Sequence, residues 1–401
     1  MSRRELLGSL CGLVFLVNFG RIVFAPLIQP VAAEFGVAAA SLGVVTSATW
    51  IGSAAPRIPA GYLLTRFSRH GVLAGTGVWL AGAAVFTALA ASILHLAVGA
   101  FLLGLASGVY FVAAKPLVSE LFPERVGSVL GVVGLTSQIA AVTAPLLLSA
   151  ILLVGDWRTT FFAVAVGAVA VTAWLVWATR RTDMPTAGTA DRSLLVAARH
   201  QWPLIALAVV TIGSVGFCWN AVFNLYGDYL TVEKGIAPDM GRVFLSLMFA
   251  GGGVAYVLAG RVTDRYRTIP LIVTFGGAFA ASVLALTAAR GLPAVALTSL
   301  AIGGLFFAAI VATEEFVLSS LPDRHRASSF AVYSAISILI QAFGAGTVGT
   351  LVTRGSSYTT AFRGLALVIL IVLAAIGGLY ATGRLPASAL GRPDASPETA
   401  D

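Results

Sequence analysis

Four charged side chains stand inside apolar runs: Arg21 in "NFGRIVFAPL", Arg57 in "APRIPAG", Lys115 in "FVAAKPLVSELFP" and Glu314 in "VATEEFVLSS". A charge in such a run costs about 2.5–3.5 kcal/mol on insertion scales, so each calls for a role. Arg21 lies too deep to snorkel easily, and its planar fork matches a carboxylate or phosphate. Arg57 sits between Pro56 and Pro59, about one turn from a cytoplasmic end, where it could gate the chain or bind a solute. Lys115 is one of only two lysines in the chain. Lys115 and Glu314 could form a pair that breaks and re-forms, each offsetting the other's desolvation. Glu315 is adjacent to Glu314 but about 100° around a helix, so both cannot face one point.

These charges need a membrane scaffold. The 401 residues are 58 % hydrophobic and 10 % charged, against roughly 25 % charged in soluble domains. Runs of about 20 apolar residues suit transmembrane helices. Twelve are expected, at roughly 6–30, 42–65, 71–91, 94–120, 127–153, 159–179, 203–230, 241–262, 269–289, 293–318, 327–353 and 359–382. The fold class is therefore an all-α integral membrane protein. Open strands are excluded because lipid cannot satisfy their backbone groups.

The net charge of +8 sits in short turns between apolar runs, which points to topology and away from nucleic acid. With the N-terminus inside, sixteen basic residues fall in inner segments and six in outer ones. That bias places both termini in the cytoplasm. "MSRRELL" is expected to anchor the first helix, not to act as a cleaved leader, because Arg21 interrupts the run and no small-residue cleavage site follows. Cys11 and Cys218 lie in apolar segments and read as free thiols, and the four scattered histidines form no metal pattern.

The chain repeats itself. "GYLLTRFSRHG" from Gly61 aligns with "GRVTDRYRT" from Gly260, "EFGVA" from Glu34 with "EKGIA" from Glu233, and "FPERVGSVLG" from Phe122 with "LPDRHRASSF" from Leu321, all at an offset of 199 residues. Two homologous six-helix halves follow, at 1–179 and 203–382. Residues 180–202 are expected to be a cytoplasmic linker and 383–401 a disordered tail. An even number of helices per half makes the repeats parallel, which puts a solute site near the midplane between them. At the same offset Arg21 pairs with Asn220, Arg57 with Tyr256 and Lys115 with Glu314. Asn224 follows Asn220 on one helical face and extends a polar stripe.

"GYLLTRFSRHG" and "GRVTDRYRT" resemble the loop 2–3 motif of the major facilitator superfamily and its second-half copy. "FPERVGSVLG" and "DWRTTFF" are similar to that superfamily's loop 4–5 and loop 5–6 segments, and the resemblance covers residues 1–382. It implies a prokaryotic transporter of two pseudo-symmetric bundles. It also implies a cytoplasmic latch at Gly61, Thr65, Arg66 and Arg69 and at Gly260, Asp264 and Arg265. Because Thr65 replaces the usual acid, the latch should be stronger at Asp264-Arg265. Helix 1 arginines often meet anionic substrates in members that carry them. "RIPAG" resembles the helix 2 motif of nitrate and nitrite porters, but Tyr256 replaces their second arginine, and nitrate is not assigned. Ala100 stands where proton-coupled drug antiporters begin their helix 4 motif with arginine, and "AAVTAPLLLS" departs from their helix 5 motif.

The expected function is secondary active transport of a small solute, an anion by preference, by alternating access and with H+ coupling through Glu314. Arg21, Lys115, Asn220 and Asn224 are the expected substrate-binding residues. Arg57, Glu314 and Glu315 are expected to couple or gate. The rival reading is an exporter of multidrug or amphipathic type, for which Phe217, Trp219, Phe223 and Tyr226 would serve. A sensor or an intramembrane enzyme fits less well, since no catalytic cluster or large soluble segment is visible. No cofactor or metal is expected beyond an H+ or other ion gradient. The expected partners are the plasma-membrane bilayer and a small-molecule substrate, without nucleic acid, and the chain is expected to act as a monomer.

Overall fold

The computed structural model describes residues 2–64, 66–122, 126–182, 201–263, 266–320 and 323–385. They form α1 (Ser2–Ile22), α2 (Phe24–Phe35), α3 (Gly43–Ala54), α4 (Arg57–Leu63), α5 (Arg69–Ala88), α6 (Ile93–Leu121), α7 (Val126–Ile151) and α8 (Trp157–Thr179). The second set is α9 (Trp202–Asn224), α10 (Tyr226–Lys234), α11 (Pro238–Thr263), α12 (Thr268–Ala288), α13 (Leu292–Ser320), α14 (Asp323–Ala342), α15 (Gly344–Thr353) and α16 (Tyr358–Ala381). The sixteen helices fall on the twelve expected spans, four of which are broken in two.

Each break has a local cause. Pro26 has no N–H to give Ile22, and the first span interrupts at Val23. Pro56 and Pro59 split the second span between α3 and α4. In the seventh span the Asn224 side-chain amide donates to Asn220 O at 2.8 Å, which competes with the helical ladder at the Leu225 break. In the eleventh, the Ala345 N–H freed at the Phe343 break donates to Asn220 Oδ1 at 3.2 Å. Among the described residues, ten stretches are each long and apolar enough to cross a membrane. The second span falls short because it is split into α3 and α4.

The repeat is visible in geometry. Gly36 and Gly235, 199 residues apart, both end their helices in the left-handed region, at φ 63° and 65°. The preceding acids do matching work. Glu34 binds the Trp157 indole N–H and the Arg158 guanidinium at the start of α8. Glu233 accepts from the Thr359 backbone N–H at 3.1 Å, and from its hydroxyl, at the start of α16. Asp156 and Ser357 cap those two helices.

The two sets meet closely at the ends that bear the Gly36 and Gly235 turns. A Cβ on Gly43 would lie 2.5 Å from Ala345 O, and one on Gly349 would overlap Ala40 O. Gly346 N–H donates to Ser47 Oγ at 3.1 Å, and Gln29 Nε2 donates to Thr231 Oγ1 at 2.8 Å. Arg242 Nε adds a bond to Ser149 Oγ at 2.7 Å. Gly349→Val should hold α15 away from the turn that leads into α3. In a background lacking Cys11 and Cys218, a cysteine at Phe223 should then react with an impermeant thiol reagent added from the face bearing the Gly36 turn. Equal labelling with and without the valine would refute the seal.

Candidate functional site

Between the two sets lies a cavity of about 190 Å³. The first set contributes Asn18, Arg21 and Ile22 from α1, Trp50 from α3, and Ser137 and Gln138 from α7. The second contributes Trp219 and Phe223 from α9, Phe249 from α11, Phe306, Phe307 and Glu314 from α13, and Tyr333, Ser334, Ser337 and Gln341 from α14.

Arg21 sits two residues before the Val23 break, so the Pro26 interruption sets its position. Its Nη2 donates to Asn18 Oδ1 at 2.6 Å, and Asn18 Nδ2 in turn donates to Ser137 O at 2.7 Å. The guanidinium carbon lies 4.5 Å from the Trp50 ring centre and 5.5 Å from that of Phe111. Both distances allow cation–π attraction. No carboxylate of the described residues comes within ion-pair distance of Arg21. Its Nε is buried without a hydrogen-bond partner among the described residues. The cation is thus held in place by a neutral amide and two rings, with its charge left over.

Arg57 opens α4, where Pro56 breaks the second span. Its Nη1 donates to Ser334 Oγ at 2.6 Å, a contact between the two sets, and its Nε donates to Ser53 O at 3.2 Å. Arg21 and Arg57 are close enough to repel, and Glu314 attracts Arg57. Arg21, Arg57 and Glu314 therefore belong to one electrostatic neighbourhood. Glu315 is exposed and absent from the cavity wall.

Asn220 and Asn224 do not border the cavity. Each is 1 % exposed, and both serve the helix breaks described above. Lys115 lies on α6, with its side chain outside the described residues, as are the side chain of Tyr256 and the whole of Thr65, Asp264 and Arg265. Gly61 lies in α4 and Gly260 in α11. Arg66 follows α4, and Arg69 opens α5. Of the aromatics weighed for an exporter, Trp219 and Phe223 face the cavity, while Tyr226 is buried against Ser299. Asn18, Trp50, Ser137, Ser334, Ser337 and Gln341 went unnoticed in the sequence. Small polar residues are ordinary in spans, and only Asn18, three before Arg21, had a local signal.

A family model described as Major Facilitator Superfamily matches residues 10–237. A probable sulfoacetate transporter of Cupriavidus necator is 27 % identical over 66 % of this chain and 65 % of its own length. A 4-hydroxybenzoate transporter of Pseudomonas putida is 36 % identical over 29 % of this chain and 26 % of its own. The chain thus spans less than two thirds of the length of the curated relatives it matches. Among solved structures, a bacterial homologue of the human lysosomal transporter Spinster, inward-facing and occupied, superposes with a TM-score of 0.80 at 16 % identity, over 98 % of this chain and 99 % of that one. With the matched family model covering more than half of its length, this twelve-span chain belongs to the major facilitator superfamily.

Proposed function

We propose that the chain is a secondary active transporter of a small organic anion, working by alternating access between residues 1–179 and 203–382 in the plasma membrane. The observation that carries the reading is Arg21, a cation on the wall of a cavity between the two sets with no carboxylate of the described residues to neutralise it. A buried unpaired charge is costly, and a bound anion offsets that cost. The size of the cavity agrees, since pockets for drug-sized ligands run to roughly 300–1,000 Å³. The names of the sulfoacetate and 4-hydroxybenzoate transporters support an anionic solute.

Reconstitution tests the reading. Proteoliposomes should take up a labelled small carboxylate or sulfonate faster than empty liposomes, and a lipophilic cation no faster. The opposite preference would favour the exporter, for which the aromatic wall of Trp219, Phe223, Phe249, Phe306 and Phe307 speaks.

Glu314 is the proposed proton carrier, because it shares the cavity with Arg21 and sits in the field of Arg57. Glu314→Gln should abolish acceleration of uptake by an inward proton gradient, while counterflow exchange survives. A variant still driven by the gradient would remove Glu314 from coupling.

A further inference from the structure

The cavity has two unlike walls. One is polar: Asn18, Arg21, Ser137 and Gln138 from the first set, and Ser334, Ser337 and Gln341 from α14. The other is aromatic. Trp219 stacks on Phe306 at 4.2 Å and 7°, and Phe307 and Phe249 meet Trp219 edge-on at 5.7 Å each. Phe223 closes this wall against Phe249 at 5.7 Å, and bridges to the polar wall by an edge contact with Trp50 at 6.0 Å.

Unused hydrogen-bonding capacity is found on the polar wall. Arg21 Nε, Trp50 Nε1 and Ser337 Oγ are all buried without a partner among the described residues, and all three residues line the cavity. Buried polar groups normally find partners, so such a cluster asks for a ligand. Two of the three atoms are obligate donors, so the missing partner is an acceptor. Trp50 stacks under Arg21, which places the two donors in one corner.

We infer that this site takes a monoanion with a flat apolar body, an arylcarboxylate in chemical class. Its carboxylate accepts from Arg21, with Trp50 Nε1 as a second donor, and its ring lies against Phe249, Phe306 and Phe307. A compact dianion would leave the aromatic wall unmatched, and among the described residues Arg21 is the one arginine that lines the cavity. The volume fits, since an apolar cavity of about 150 Å³ accepts benzene, and this one is about 190 Å³. The body would touch the second set while the head is held by the first, so one solute would bridge both. This inference deepens the proposed anion transport and rests on it.

The test is a thermal-shift and binding series on the purified full chain with benzoate, acetate, sulfoacetate and benzylammonium. Benzoate should stabilise the protein at concentrations at least tenfold lower than acetate or sulfoacetate, and benzylammonium should not stabilise it. Trp50→Phe keeps the ring under Arg21 and removes the N–H, and should weaken benzoate about tenfold. Phe307→Leu should narrow the benzoate-to-acetate ratio without changing acetate itself. If sulfoacetate or acetate binds as well as benzoate, the aryl class is overturned and anion transport stands. If benzylammonium alone binds, or no anion does, both readings fall. Unchanged benzoate affinity in Trp50→Phe overturns the second-donor role.

Discussion

Gly303→Val should prevent recovery of a folded protein. A Cβ at Gly303 in α13 would overlap the carbonyl oxygen of Met248 in α11, and one at Gly251 in α11 would overlap that of Leu300 in α13. The two helices therefore touch backbone to backbone. Lipid tails give no hydrophobic drive for helices to associate, so this close packing is much of what holds the pair together. Overpacking costs about 1–3 kcal/mol where neighbours can yield. A backbone carbonyl inside a helix cannot swing aside, so a loss on the order of 4 kcal/mol or more is expected. The first set repeats the device: Gly52 meets Phe101 O and Gly104 meets Thr49 O. Gly104→Val should be comparably damaging. Gly253, beside Gly251 and Gly252, has open space where its Cβ would go, so Gly253→Val is the control. Size-exclusion profiles and melting curves in detergent decide it. A Gly303→Val protein that melts like the parent would show the interface to be more compliant than its geometry says.

The membrane class, the twelve spans and the duplication were all readable, because length, apolar runs and a constant offset are one-dimensional signals. The offset reached further than the motifs that revealed it. It relates Gly52 to Gly251 and Gly104 to Gly303, so the tight crossings were encoded in the repeat although glycine alone does not say what it touches. Arg21 was legible because a charge in an apolar run is conspicuous. Trp50 was not, since an aromatic in such a run looks the same whether it faces lipid or a cavity. Asn220 has a structural use that its position in the sequence does not announce. A polar side chain in a span reads as substrate-facing, yet a broken helix frees backbone groups that must be satisfied, and Asn220 Oδ1 is used on Ala345 N–H. The break itself was hidden, because no proline marks Phe343, only glycines at 344 and 346.

Arg21→Ala should cut uptake by roughly 30- to 5,000-fold, the span that follows from about 2–5 kcal/mol for removing one partner of a buried charge contact. Arg21→Lys should recover little of it. Lysine keeps the charge but offers no planar fork, so a single ammonium nitrogen would have to serve both the Asn18 amide and the carboxylate. Stability should respond in the opposite direction from activity. Arg21 meets Asn18, Trp50 and Phe111 but no acid of the described residues, so in the empty protein it is a desolvated charge with incomplete compensation. Its removal should leave the melting temperature unchanged or raise it. The anion-induced stabilisation should disappear, because that increment scales with affinity. A structural arginine would behave differently, since its loss would lower the melting temperature of the empty protein and reduce uptake through the amount of folded protein. Uptake per folded molecule, measured beside the melting curve of the ligand-free variant, separates the two. Full uptake by Arg21→Ala would remove Arg21 from substrate binding. An equal fall in stability and uptake would make it a scaffold residue, and the anion reading would then lose the observation on which it stands.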